Sequence, residues 1–187
     1  GLAQREDLES YRIIEEFMIA ANEAVARQLS AKDFPTLYRV HEGPDQEALE
    51  DLAPFLLSLG YRLPQKKDNL PPLEIQRLLE SARGKPEERV INRVLLRSMK
   101  QALYQPENIG HFGLALTEYA HFTSPIRRYP DLLVHRGIRH VLRGGTTEDW
   151  PEEWSNMDAL GQQCSLLERR ADDATRDAMS WLKCEFM

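Results

Sequence analysis

The sequence predicts a mainly α-helical chain with one small β element, forming part of a larger α/β domain. Three observations carry this. Apolar residues recur at helical spacing over most of the 187 residues. Only two short stretches read as extended. Four or five helices with two short strands do not close a self-contained fold around one core.

The first helix is expected over roughly Gln4 to Leu29, where Leu8, Tyr11, Ile14 or Ile13, Phe17 or Met18, Ala21, Ala24, Val25 and Leu29 follow a helical period. Leu37 to Val40 reads as a short strand. Gly43-Pro44 opens a helix from Asp45 to Leu59, stopped by Gly60, with Pro54 placed to kink or split it. Pro64 to Pro72 is a polar linker. Helices are expected from Pro72 to Arg83, ended by Gly84, and from Pro86 to about Tyr104. In His111 to Phe122, residues Phe112, Leu114 and Leu116 alternate with Gly113, Ala115 and Thr117, the period of an extended segment. Ser124 to Leu142 returns to helix, broken by Gly144-Gly145. Thr146 to Asn156 is a polar, Trp-bearing loop. Met157 to Phe186 is a long, highly charged helix. Gly1 falls almost directly inside a helix, as expected of a piece of a longer chain.

Composition excludes several classes. Apolar content of 42% and charged content of 29% are those of a globular chain. The apolar runs are far too short to span a bilayer. Arg5, Glu6, Asp7 and Glu9 rule out a secretory signal at the start. The expectation is a soluble, cytoplasmic protein with no membrane partner. Cys164 and Cys184 share one predicted helix, roughly 30 Å apart, beyond disulfide reach. They are expected as free thiols, and no zinc spacing is present.

The net charge of −6 argues against a nucleic-acid partner, but its distribution does not. From Arg93 to Arg143 eight basic residues stand against Glu107, Glu118 and Asp131. That local balance of +5 leaves −11 for the rest. A basic zone in an acidic chain fits an anionic ligand. Charge scattered over helix faces would look the same.

The stretch from Tyr119 to Asp131 carries the chemistry. Ser124 is a good N-cap and Pro125 a good first helical residue. Arg127 and Arg128 would then fill a first turn that the helix dipole reserves for acids. Backbone amides and guanidinium forks together would address a phosphate. Pairing of both arginines with acids elsewhere is the alternative. Pro130 also allows the arginine turn to precede a helix that starts there.

These residues resemble a known family. His111 to Arg136, HFGLALTEYAHFTSPIRRYPDLLVHR, resembles the signature near the C-terminal end of the ribonuclease II and ribonuclease R catalytic domain. Ile14-Glu15-Glu16-Phe17-Met18-Ile19-Ala20-Ala21-Asn22 resembles another family helix. Leu95 to Ala102, Glu168 to Asp172 and Trp181 to Cys184 look closest to the ribonuclease R branch. The resemblance covers nearly the whole chain in order.

The resemblance implies a processive 3′→5′ exoribonuclease that hydrolyses single-stranded RNA from its 3′ end to nucleoside 5′-monophosphates, with no DNA substrate. It implies magnesium ions held by a cluster of aspartates. Arg127 matches the catalytic arginine, and Glu15 matches a glutamate near the 3′-terminal nucleotides. Thr175 and Arg176 fall near the RNA end, threonine replacing a glutamate of some members. The D-x-D-D spacing of the metal cluster is absent from this sequence, as are the flanking oligonucleotide-binding barrels. The chain is therefore expected to be the C-terminal portion of the catalytic domain, without metal ligands and inert alone.

Other residues carry two readings each. Ser124, Arg128, Tyr129 and His121 could contact RNA, or cap, pair and pack. Arg97 and Lys100, with Arg93, could line a phosphate path or pair with nearby acids. Glu15 without the resemblance is one charge on a solvated helix face. A helical RNA-binding or protein-interaction module without nuclease chemistry is the competing function.

Overall fold

The computed structural model describes residues 8–63 and 70–186. Its elements are α1 (Glu9–Ser30), β1 (Tyr38–Val40), α2 (Gln46–Ser58), α3 (Pro72–Ala82), α4 (Glu88–Ser98), β2 (Leu103–Gln105), α5 (Tyr129–Leu142) and α6 (Met157–Phe186). Short 3₁₀ turns lie at Phe112–Leu114 and Glu152–Trp154. The mainly helical class holds, with β1 and β2 paired as the small β element. The chain divides into two compact units.

The first unit comprises the described residues up to Arg39, Leu103–Asn108 and those from Glu118 on. Here α6 lies directly on β2. A Cβ at Gly161 would stand 2.5 Å from the Tyr104 carbonyl oxygen, so only glycine permits this approach. One turn later the Ser165 hydroxyl accepts the Tyr104 N–H at 2.9 Å and donates to the Gly161 carbonyl at 2.9 Å. Gly137 on α5 similarly leaves room for Phe34. Trp150 meets Phe34 edge-on at 4.9 Å and is buried, so the expected polar loop inserts an aromatic anchor into the core.

The expected first helix is α1; residues 4–7 of that expectation lie outside the described residues. Its rear half is buried through Asn22, Ala26 and Leu29. Its front half departs from the expected core face: Tyr11, Ile14 and Phe17 are 50%, 58% and 69% exposed.

The second unit comprises Val40–Ala102 and Ile109–Thr117. Leu52 and Leu56 of α2, Tyr61, Leu78 and Ala82 of α3, and Ile91 and Leu95 of α4 form its core. Pro54 sits inside α2 on an exposed face without splitting it. Gly60 ends the segment with φ +86°.

Three boundaries differ from expectation. The helix expected to reach Tyr104 stops at Ser98, and Met99 is extended. Tyr104 belongs instead to β2. The segment from His111 is a tight loop and not a strand. His111 Nδ1 accepts the Leu114 N–H, and the Leu116 N–H returns to the His111 carbonyl. His41 Nδ1 takes the Gly113 N–H at 2.9 Å, while its Nε2 lies 2.7 Å from the Lys100 carbonyl. Imidazoles thus consume amides that a ladder would need. Finally, α5 starts at Tyr129 and not at Ser124, with Pro130 in its first turn where its missing N–H costs nothing.

Candidate functional site

The candidate site in the first unit is the turn from Ser124 to Arg128, and it is held from two helices. Asn22 of α1 is 3% exposed. Its Oδ1 accepts the N–H groups of Phe122 at 2.9 Å and Thr123 at 3.2 Å. Its Nδ2 donates to the Tyr119 hydroxyl at 2.9 Å. From α5, the fully buried Asp131 accepts the Ser124 N–H at 2.7 Å and Arg128 Nη2 at 2.8 Å on one oxygen. His135 Nε2 donates to the Phe122 carbonyl at 2.9 Å, and the two rings stack at 4.1 Å. The Ser124 carbonyl then accepts from the amides of Arg127 and Arg128.

This pattern corrects one part of the phosphate argument. The amides of residues 122, 123, 124, 127 and 128 already have acceptors within the chain. They are not donors held open for an anion. The open donor is the Arg127 guanidinium, exposed and without a partner among the described residues. Its neighbour Arg128 is turned inward onto Asp131. Three buried polar atoms here lack a partner: Thr123 Oγ1, Arg128 Nε and Asp131 Oδ2.

The remaining candidates fall as follows. His121 Nδ1 lies 2.8 Å from the Tyr104 hydroxyl. Burial pushes the Tyr104 hydroxyl pKa up to about 12, against the pull of Arg39, whose guanidinium lies 4.5 Å above the ring. Arg39 in turn pairs with Glu168 at 2.6 Å. Tyr129 is 41% exposed, with Arg136 at 6.0 Å from its ring. Glu15 is exposed on α1. Thr175 donates to the Ala171 carbonyl on its own helix, and Arg176 pairs with Asp173.

Arg97 and Lys100 lie in the second unit and differ from each other. Arg97 is exposed and unpaired among the described residues, on the same face of α4 as Arg89 and Arg93. Lys100 is committed: Glu42 holds it at 2.5 Å and Asp45 at 2.8 Å. Hydrogen bonds to Asp45 and then Glu42 raise its pKa above the usual lysine value.

Among the described residues no three His, Cys, Asp or Glu side chains converge as a metal site. Asp172 and Asp173 are exposed neighbours on α6, diverging by about 100°. The magnesium implied by the resemblance has no fitting ligand set here. Both cysteines are free, and burial raises the Cys164 thiol pKa.

Sequence reasoning passed over Asn22 and Asp131 as site residues. Asp131 had a signal: an acid three residues after Arg128 and in a first helical turn. Asn22 had its polarity on the buried side of α1 and its place at the end of the Ile14 to Asn22 motif, neither of which names its partners.

Comparison with known proteins agrees with this architecture. The family described as the RNB domain matches residues 1–144. Ribonuclease R of Escherichia coli (strain K12) is 49% identical over 193 residues, covering 98% of this chain and 23% of that protein. The solved structure of Mycoplasma genitalium RNase R in complex with ribose methylated single-stranded RNA superposes with a TM-score of 0.86 at 26% identity, covering 97% of this chain and 28% of that one. Its complex with double-stranded RNA gives 0.87 at 26%, covering 96% and 32%. The chain thus spans about a quarter to a third of the length of these relatives. By sequence and by fold, the chain belongs to the RNB-domain family, among whose members ribonuclease R is its relative.

Proposed function

We propose that this chain is the C-terminal portion of the catalytic domain of a 3′→5′ exoribonuclease that hydrolyses single-stranded RNA processively to nucleoside 5′-monophosphates. Its part is to supply Arg127 to the scissile phosphate and one wall of the RNA channel. The supporting observation is the state of Arg127: an exposed guanidinium without a partner among the described residues, on a turn fixed from α1 and α5. Its backbone is fixed in place, and no existing ion pair has to break before the guanidinium meets charge building on the phosphate. Its planar fork suits two phosphate oxygens at once. Glu15, His121, Ser124, Arg128, Tyr129, Arg97, Lys100, Thr175 and Arg176 are placed along the RNA in this reading. Arg128 and Lys100 act mainly through the acids they hold. The carboxylates for magnesium belong to sequence outside this chain, and the expected setting is cytoplasmic.

The test uses the full-length parent enzyme. Arg127→Ala should lower the single-turnover rate about 10²–10³-fold, by analogy with loss of one oxyanion donor. RNA affinity, spread over many phosphate contacts, should change little. Arg127→Lys should rescue poorly, since lysine lacks the fork. An unchanged rate with a raised dissociation constant would make Arg127 a binding residue only. The chain alone, with labelled RNA and magnesium, is the zero-rate reference. Steady, chelator-sensitive release of mononucleotides from it would overturn the placement of the metal ligands elsewhere.

A further inference from the structure

We infer that Asn22 is a positioning residue for Arg127; this rests on the catalytic reading of Arg127 given above. Asn22 is nearly inaccessible on a helix whose buried neighbours at its rear are Ala26 and Leu29. A buried carboxamide is costly unless its polar atoms are bonded, and alanine is the better helix former. The side chain therefore has a task beyond filling space. Its Oδ1 holds two consecutive amides, those of Phe122 and Thr123, and so fixes two adjacent peptide planes.

The next amide along, that of Ser124, is fixed from α5 by Asp131. Three successive amides are thus clamped between two helices directly before the arginine turn. Arg127 has no side-chain partner of its own among the described residues. Its place is set by the backbone alone, and that backbone begins at the clamp. Asn22 also lies seven residues after Glu15 on α1, two turns along the same face. It therefore registers the arginine turn against the helix that carries Glu15.

Without the carboxamide, two half-buried amides lose their acceptor and the loop must move to find another. A displacement of about 1 Å costs on the order of 10²-fold in rate when it reaches a catalytic group. Single-turnover cleavage and RNA affinity are measured on the full-length parent enzyme. Asn22→Ala should slow cleavage about 10- to 100-fold, with RNA affinity within about twofold because phosphate contacts remain. Asn22→Gln keeps the chemistry but moves the acceptor by one methylene, and should also slow cleavage at least ~10-fold. Asn22→Asp keeps an acceptor oxygen for both amides and should recover most of the rate.

The decisive variant combines Asn22→Gln with Arg127→Ala. It should be no slower than Arg127→Ala alone, because Asn22 acts through that arginine. A general folding defect would instead multiply the two losses, and that result overturns the proposal. So does a wild-type rate for Asn22→Gln. If Arg127→Ala itself cleaves at the wild-type rate, the catalytic reading fails. If Arg127→Ala is slow while Asn22→Gln is not, only the positioning role fails.

Discussion

Asp131 is a carboxylate with no solvent exposure, and its place explains why two adjacent arginines behave differently. One of its oxygens takes both the Ser124 amide and the Arg128 guanidinium, while the other is buried without a partner. A buried ion pair of this kind adds little net stability relative to an apolar replacement of the pair. Removing one member alone is different, because the other charge is left inside. Asp131→Ala should therefore destabilise the protein by about 3–5 kcal/mol. The double variant Asp131→Ala with Arg128→Met should recover much of that loss. Urea unfolding of the wild type, the Asp131→Ala variant and the double variant measures it. Equal destabilisation by the single and double variants would show that the Ser124 amide, not the charge pair, is what Asp131 serves. Arg127 has no such obligation, which is why it remains available to an anion.

At the scale of elements, α6 packs closely on β2. Gly161→Ala would drive a methyl group to 2.5 Å from the Tyr104 carbonyl and 3.3 Å from Leu37. The Leu37 side chain can shift but the Tyr104 backbone cannot yield easily, so a loss of about 1–3 kcal/mol is expected. A thermal scan settles it: an unchanged melting temperature means that α6 shifts without cost. The long helices were legible because their periodicity is sustained, and Met157 to Phe186 stands as expected. β2 was not legible, because Leu103-Tyr104-Gln105 is too short for a period and follows a helical pattern. Its identity comes from pairing with β1 and from Ser165, both distant in sequence. The alternation around Phe112 misled for a related reason: two histidine side chains bend that loop, and periodicity does not register such bonds. The arginine turn was legible as chemistry through its motif. The residues that hold it, Asn22 and Asp131, act through contacts up to 101 positions apart in sequence.

For the whole molecule, charge decides what it binds. A chain of −6 should repel RNA at long range, yet the window from Arg93 to Arg143 carries +5. Several of its basic groups prove to be committed. Lys100 is held by two acids and Arg128 by Asp131, whereas Arg93, Arg97 and Arg127 are exposed and unpaired among the described residues. The chain should therefore bind single-stranded RNA weakly through about two to three phosphate contacts, each adding roughly 0.7 to the log–log salt slope. Fluorescence anisotropy of a labelled oligonucleotide over a salt series measures both affinity and slope. Arg127→Ala should lower the slope by roughly 0.7, one contact on the single-strand scale. Arg128→Ala should leave the slope unchanged, since its charge is already neutralised by Asp131. Arg127 and Arg128 together should then lower it no more than Arg127 alone. If Arg128→Ala lowers the slope by as much as Arg127→Ala, the Asp131 pair opens on binding and both guanidiniums reach phosphate. If neither substitution changes it, phosphate is held elsewhere in the chain, and the unpaired arginines of α4 become the group to replace next.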